Sequence, residues 1–181
     1  MNVLVFSEEY VKDNSNIPDN IDSQVLKMHM FESQNIDLRY FLGNDLFDVI
    51  IADFITYKTY VDGGGTDPIT DKIDARILNL VDTCKPYLMY RTLYNGAYSF
   101  AVKFTNKGTT EQNSDYSDNV DITTVEKIRR QNKVKSDGYS NLILKYLTEN
   151  SSTYPEFNTG ENCESTNKRA LSSVLYLGDN I

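Results

Sequence analysis

Apolar residues recur along this chain mostly at helical spacing, and polar or glycine-bearing stretches separate the runs. Val3, Val5 and Phe6 alternate briefly in strand fashion, then Asn14, Ser15, Asn16 and Pro18 break the pattern, so residues 1–18 read as an N-terminal arm. From about Asp19 to Phe41, Ile21, Val25, Met28 and Glu32 mark one stripe of a helix, with Phe31, Leu38 and Leu42 continuing its apolar side. Gly43 is the expected stop, because glycine accepts the left-handed backbone of a helix end. Asn44 or Asp45 is the expected cap of a second helix. Its broad apolar face runs from Leu46 to Ile55, and Gly63, Gly64 and Gly65 follow as a flexible loop.

A third helix is expected from about Ile69–Asp71. Ile69, Ile73, Ile77, Leu80, Val81, Cys84 and Leu88 keep the helical period, and Pro86 predicts a kink or break within it. Tyr87, Tyr90, Tyr94 and Tyr98 then recur along one helix face. Residues 105–121 are polar and read as a long interaction loop. Thr123 and Glu126 form the pattern of a capping box opening a fourth helix. Its stripe is Val125, Ile128, Val134, Leu142, Ile143, Tyr146 and Leu147, with Gly138 weakening the middle. The result is a mainly α fold: a helical domain over 19–149 and a polar C-terminal extension over 150–181, in which Tyr154, Pro155 and Phe157 form an isolated cluster and Ala170–Leu177 a short apolar run.

The chain has 181 residues, enough for one domain with a real core. Its net charge of −8 opposes nonspecific binding to nucleic acid or to an anionic membrane. No apolar run approaches the roughly 20 residues that span a bilayer. Met1–Phe6 lacks the basic start and the cleavage site of a signal peptide, so synthesis in the cytoplasm is expected. Cys84 and Cys163 are too few for a disulfide scaffold, and Cys84 reads as a small core residue.

Candidate chemistry is sparse, and the chain reads as a non-enzyme without cofactor or metal. His29 is the one histidine, set between Met28 and Met30, and a structural role is expected for it. Thr66, Asp67 and Pro68 follow the glycine run where a phosphate cradle would need Lys and Ser or Thr. Asp115–Asp121 lacks the glycine and terminal glutamate of a calcium-binding loop. The aspartates of the second and third helices fall at surface spacing. What stands out is a basic cluster on the fourth helix: Lys127, Arg129, Arg130, Lys133 and Lys135. With Ile128 and Val134 facing inward, these five wrap the helix and read as an ordinary solvated face, as a contact for an acidic partner surface such as an identical neighbour, or as a contact for DNA in a channel. Thirteen tyrosines add material suited to protein contacts. The candidate interface is Lys127, Arg129, Arg130, Lys133, Lys135, Tyr154 and Phe157.

The order of segments carries a resemblance. Phe41-Leu42-Gly43-Asn44-Asp45-Leu46-Phe47, Lys85-Pro86-Tyr87-Leu88 within the third helix, Ala97–Gly108, Tyr146–Asn150 and Tyr154-Pro155-Glu156-Phe157 follow one another over roughly residues 20–158. This succession resembles head–tail connector proteins of tailed phages, of the crAss-like or a related Bacteroidota phage type. The resemblance implies a helical-bundle adaptor of the virion, assembled in the host cytoplasm. Such adaptors form a ring of twelve subunits under the portal protein, dock further connector or tail proteins, and let genome DNA pass without sequence-specific binding. They touch no membrane and carry no catalytic residues to transfer. The alternative from charge alone is a monomeric acidic regulatory module.

Overall fold

The computed structural model describes residues 3–17, 20–105, 108–111 and 122–158, and within them the chain is mainly α-helical. The first helix, α1 (Glu8–Asp13), begins where the Ser7 hydroxyl accepts from the Tyr10 N–H. Residues 3–13 are not a free arm, and no strand forms there: Val5, Phe6 and Val11 are buried in the core. The side chain of Gln34 makes this possible. Its Oε1 accepts from the Val5 N–H at 2.9 Å, and its Nε2 donates to the Val3 carbonyl at 2.9 Å. One amide thus supplies the donor and acceptor that a neighbouring strand would otherwise offer.

Asp22 caps α2 (Ser23–Glu32) by accepting from the Gln24 and Val25 amides. The helix runs on through a π-helical segment (Ser33–Leu38) into α3 (Arg39–Leu42), and stops at Gly43 with φ of 82°. Met28 and Glu32 lie on its outside, contrary to the stripe expected from hydropathy. The buried residues include Leu26, Met30, Gln34, Leu38 and Leu42, at every fourth position, with His29 and Ser33 beside them. Residues four apart drift around an α-helix of 3.6 residues per turn. The slower winding of the π segment offsets that drift and keeps the five on one side.

Helix α4 (Asn44–Asp62) has no side-chain cap. Asn44 Oδ1 instead accepts from Arg39 Nε at 2.8 Å, so neither Asn44 nor Asp45 plays the expected part. Gly64, with φ of 92°, turns the chain after α4. Ile69–Asp71 forms only a 3-10 turn, and α5 (Ala75–Asn95) begins later, where Asp74 accepts from the Arg76 amide. The helix continues through Pro86 without a break. The carbonyl deprived of its amide partner belongs to exposed Asp82, whereas the flanking Cys84, Tyr87 and Leu88 are buried and hold the helix in place. Helix α6 (Ala97–Ala101) leads to an antiparallel hairpin of β1 (Val102–Thr105) and β2 (Gly108–Glu111), with Val102 opposite Glu111. The hairpin occupies the start of the expected loop, and residues 112–121 of that loop lie outside the described ones.

The long helix α7 (Ile122–Glu149) packs along α5, which α2 and the π segment also contact. Helix α5 therefore sits at the centre, burying Ile77, Leu80, Val81, Cys84, Tyr87, Leu88, Met89 and Thr92. Burial pushes the Cys84 thiol up to about 12. A polar seam crosses this core. Asn95 Nδ2 donates to Asp37 Oδ2 at 2.9 Å and to Ser33 Oγ at 3.1 Å, and Arg91 pairs with Asp37 at 3.1 Å. His29 is buried beside it, its Nδ1 3.0 Å from Glu32 and its ring edge-on to Phe100.

The chain then folds back on the start of α5 through α8 (Pro155–Asn158). Tyr154 is only 1% exposed. Its hydroxyl donates to the Arg76 carbonyl at 2.8 Å and accepts from the Tyr146 hydroxyl at 3.0 Å. The Arg76 guanidinium holds both Glu156 carboxylate oxygens, at 3.0 and 2.8 Å. Phe157 packs against the core. Residues 150–158 are thus part of the body, and the expected division at 150 is corrected; Cys163 and Ala170–Leu177 lie outside the described residues.

Gln34→Leu strands two backbone groups at Val3 and Val5. Urea denaturation should register a loss of about 2 kcal/mol, and a loss below about 0.5 kcal/mol would mean the amide clamp is dispensable. A second expectation concerns pH. Hydrogen bonds from Arg76 hold the Glu156 carboxyl below its ordinary value of 4.5. A depressed carboxylate stabilises the fold above its unfolded value and stops doing so as pH falls through the folded one. The stability gap between wild type and Glu156→Gln should be steady above pH 4.5 and close in more acid solution. A gap independent of pH would contradict the pairing.

Candidate interaction surface

The basic cluster lies on α7, but its members do different work. Val125, Asn132, Ser136, Ile143 and Leu147 form the buried side of the helix, with Tyr139 and Tyr146 packed at its margin. Ile128 is 49% and Val134 71% exposed, so the expectation that they face inward is overturned. Leu142 of the same expected stripe is also exposed. The physical reason lies across the interface. Helix α5 presents Tyr90 and Tyr94 to α7, and these are met by the Tyr139 ring and the Arg129 guanidinium.

Arg129 belongs to this inner contact rather than to a free surface. Its Nη2 donates to the Tyr94 hydroxyl at 3.1 Å, and its guanidinium lies 4.4 Å from the Tyr94 ring centre and 5.6 Å from that of Tyr98. Glu126 accepts from the Tyr98 hydroxyl and pairs with Arg129 at 3.4 Å. Its carboxylate is therefore committed there, and α7 begins at Ile122, which places Thr123 inside the first turn rather than at the cap. Hydrogen bonding from Tyr98 first, and then the nearby arginines, holds the Glu126 carboxyl below the usual range. Lys135 leans over the Tyr90 ring at 5.0 Å, and Lys133 forms an exposed pair with Asp137 at 2.7 Å.

What remains on the outside is a mixed face. Lys127 makes no ion pair among the described residues, and Arg130 reaches only Glu126, at 4.0 Å. Arg130, Gln131, Val134 and Lys135 enclose a shallow open depression. Seen as charge, α7 carries Lys127, Arg129, Arg130, Lys133, Lys135 and Lys145 against Glu126, Asp137 and Glu149, in a chain of net charge −8. The two aromatic members of the expected interface stand elsewhere. Tyr154 is enclosed and Phe157 leans on the core, so neither joins the basic face.

A second exposed stripe was not anticipated as such. Met28, Glu32, Ile36 and Tyr40 lie along the outside of α2, the π segment and α3. Ile36 is 63% and Tyr40 68% exposed. The signal for it was the same four-residue repeat that sets the buried side. Among the described residues no group of His, Cys, Asp and Glu gathers in a metal-holding arrangement, and no helix is long and apolar enough to cross a membrane.

Comparison with curated proteins gives no match, and neither does comparison with solved structures. A profile described as a family of unknown function, DUF6712, matches residues 38–167, a span that takes in the whole basic face of α7. That match extends over well over half of the chain, and the chain belongs to the DUF6712 family.

Proposed function

We propose that this chain is a structural subunit of a phage head–tail connector, assembling as a ring between portal and tail. The observation that carries the reading is the outer face of α7, where exposed Val134 and Leu142 lie among Lys127, Arg130 and Lys135 on an otherwise acidic protein. Apolar residues ringed by one sign of charge suit a protein surface of the opposite sign. An acidic body joined to a basic face also suits subunits that meet head to tail, because each copy offers both halves of the contact. The succession of segments that resembles phage connectors supports the same reading. The packed helical body gives such a ring a stiff unit, and the hairpin after α6 is a ready extension from it.

The direct test is electron microscopy of the full chain mixed with the portal protein of the same phage. Rings seated on the portal are expected; a chain that never associates with the portal would overturn the reading. A triple charge reversal, Lys127→Glu with Arg130→Glu and Lys133→Glu, should weaken assembly about tenfold, equal to about 1.4 kcal/mol, at low salt. The difference should shrink as salt screens the contact. Sedimentation velocity reads both. Unchanged assembly would return the cluster to the role of a solvated face.

A further inference from the structure

Two exposed stripes are left over once the core is formed, and their chemistry is complementary. One runs over Met28, Glu32, Ile36 and Tyr40, and the other over Lys127, Arg130, Val134 and Leu142. Each belongs to a helical element that packs on α5 and turns its stripe away from it. Among the described residues nothing covers either stripe. Their lengths agree: at about 1.5 Å per residue, Met28 to Tyr40 spans roughly 18 Å and Lys127 to Leu142 roughly 22 Å.

The charges agree as well. Two cations lie beside the first stripe, but Lys27 is held by Glu8 at 2.8 Å, and Arg39 by Asn44 at 2.8 Å and Asp48 at 3.3 Å. Counted together, the carboxylates Glu8, Glu32, Asp45 and Asp48 outnumber the half-exposed Lys27 and Arg39, so that side is net acidic. The second stripe presents Lys127 and Arg130. The π segment is what keeps Ile36 and Tyr40 in line with Met28, and such segments recur where a helix face is put to use.

We infer that the partner of the basic α7 face is a second copy of this chain, docked through its Met28–Tyr40 stripe. Two unlike surfaces then meet, so a bound pair still leaves one stripe of each kind open, and addition continues until a ring closes. This inference rests on the ring reading above and names the surfaces that would build it.

The test uses the full chain with Cys163→Ser, leaving buried Cys84 in place. Tyr40→Cys and Val134→Cys are made separately, oxidised alone and as a mixture, and disulfides are located by peptide mass spectrometry. The mixture should yield the Tyr40–Val134 cross-link at least several-fold above any cross-link in either variant alone, and less in high salt. A Val134→Cys sample that cross-links equally well with itself would overturn the inference, because the α7 face would then pair with its own kind. No cross-link at all would also overturn it. Sedimentation velocity on the uncross-linked chain with Cys163→Ser then separates the two readings. Oligomers would leave the ring with other contact surfaces, whereas monomers at every concentration would remove self-assembly of the chain as well.

Discussion

Burial of α5 on several sides is the constraint from which the rest of the arrangement follows. Ile77, Leu80, Leu88 and Thr92 are enclosed by elements that come from before and after α5 in the chain, so none of those elements can be placed independently. Helix α2 with its π segment must offer a straight apolar side, and α7 must offer a side that accepts tyrosine rings. Residues 150–158 must return to the start of α5, where Arg76 and Tyr154 lock together. Hydrophobic burial supplies the drive. The polar groups Gln34, Ser33, Asp37, Asn95 and Arg91 are buried or half-buried with the core and find partners there.

The same constraint leaves residues over. When a helix commits one side to α5, its opposite side is fixed too, and on α7 that side carries Val134 and Leu142 among lysines and an arginine. On α2 and α3 it carries Met28, Ile36 and Tyr40. Scattered exposed apolar residues are ordinary on a protein surface. Here they are aligned along two helical elements, one beside a net acidic set of side chains and the other among lysines and an arginine, which is why they bear on assembly.

Much of the helical order was legible in the sequence, and the misses have physical causes. The 3.6-residue period placed α4 and most of α5, and Gly43 marked a stop that its positive φ bears out. The phase of α2 was misread because its buried residues repeat every four positions, and only a slower-winding segment can use such a repeat. The phase of α7 was misread because hydropathy favoured Ile128 and Val134 over Asn132 and Ser136, whereas the side toward α5 meets its tyrosines with Arg129 and Tyr139. The N-terminal residues looked free because their anchor is a side chain, Gln34, about thirty positions away. The basic cluster was visible as composition, but the division of labour inside it was not: Arg129 faces the tyrosines while Lys127 and Arg130 face out. Tyr154 looked like an exposed aromatic for lack of any local cue to its contact with Arg76, far off in sequence.

Native-state hydrogen exchange on the full chain tests most directly whether α5 is the element on which the others depend. The amides of Leu80–Met89 should exchange only through global unfolding and share its denaturant dependence, whereas those toward the half-exposed end of α4, near Thr59–Asp62, should open locally at lower free energy. If the α5 amides exchanged by local opening while α4 or α7 stayed protected, the centre of the fold would lie elsewhere, and the two outward stripes would lose the element that fixes them.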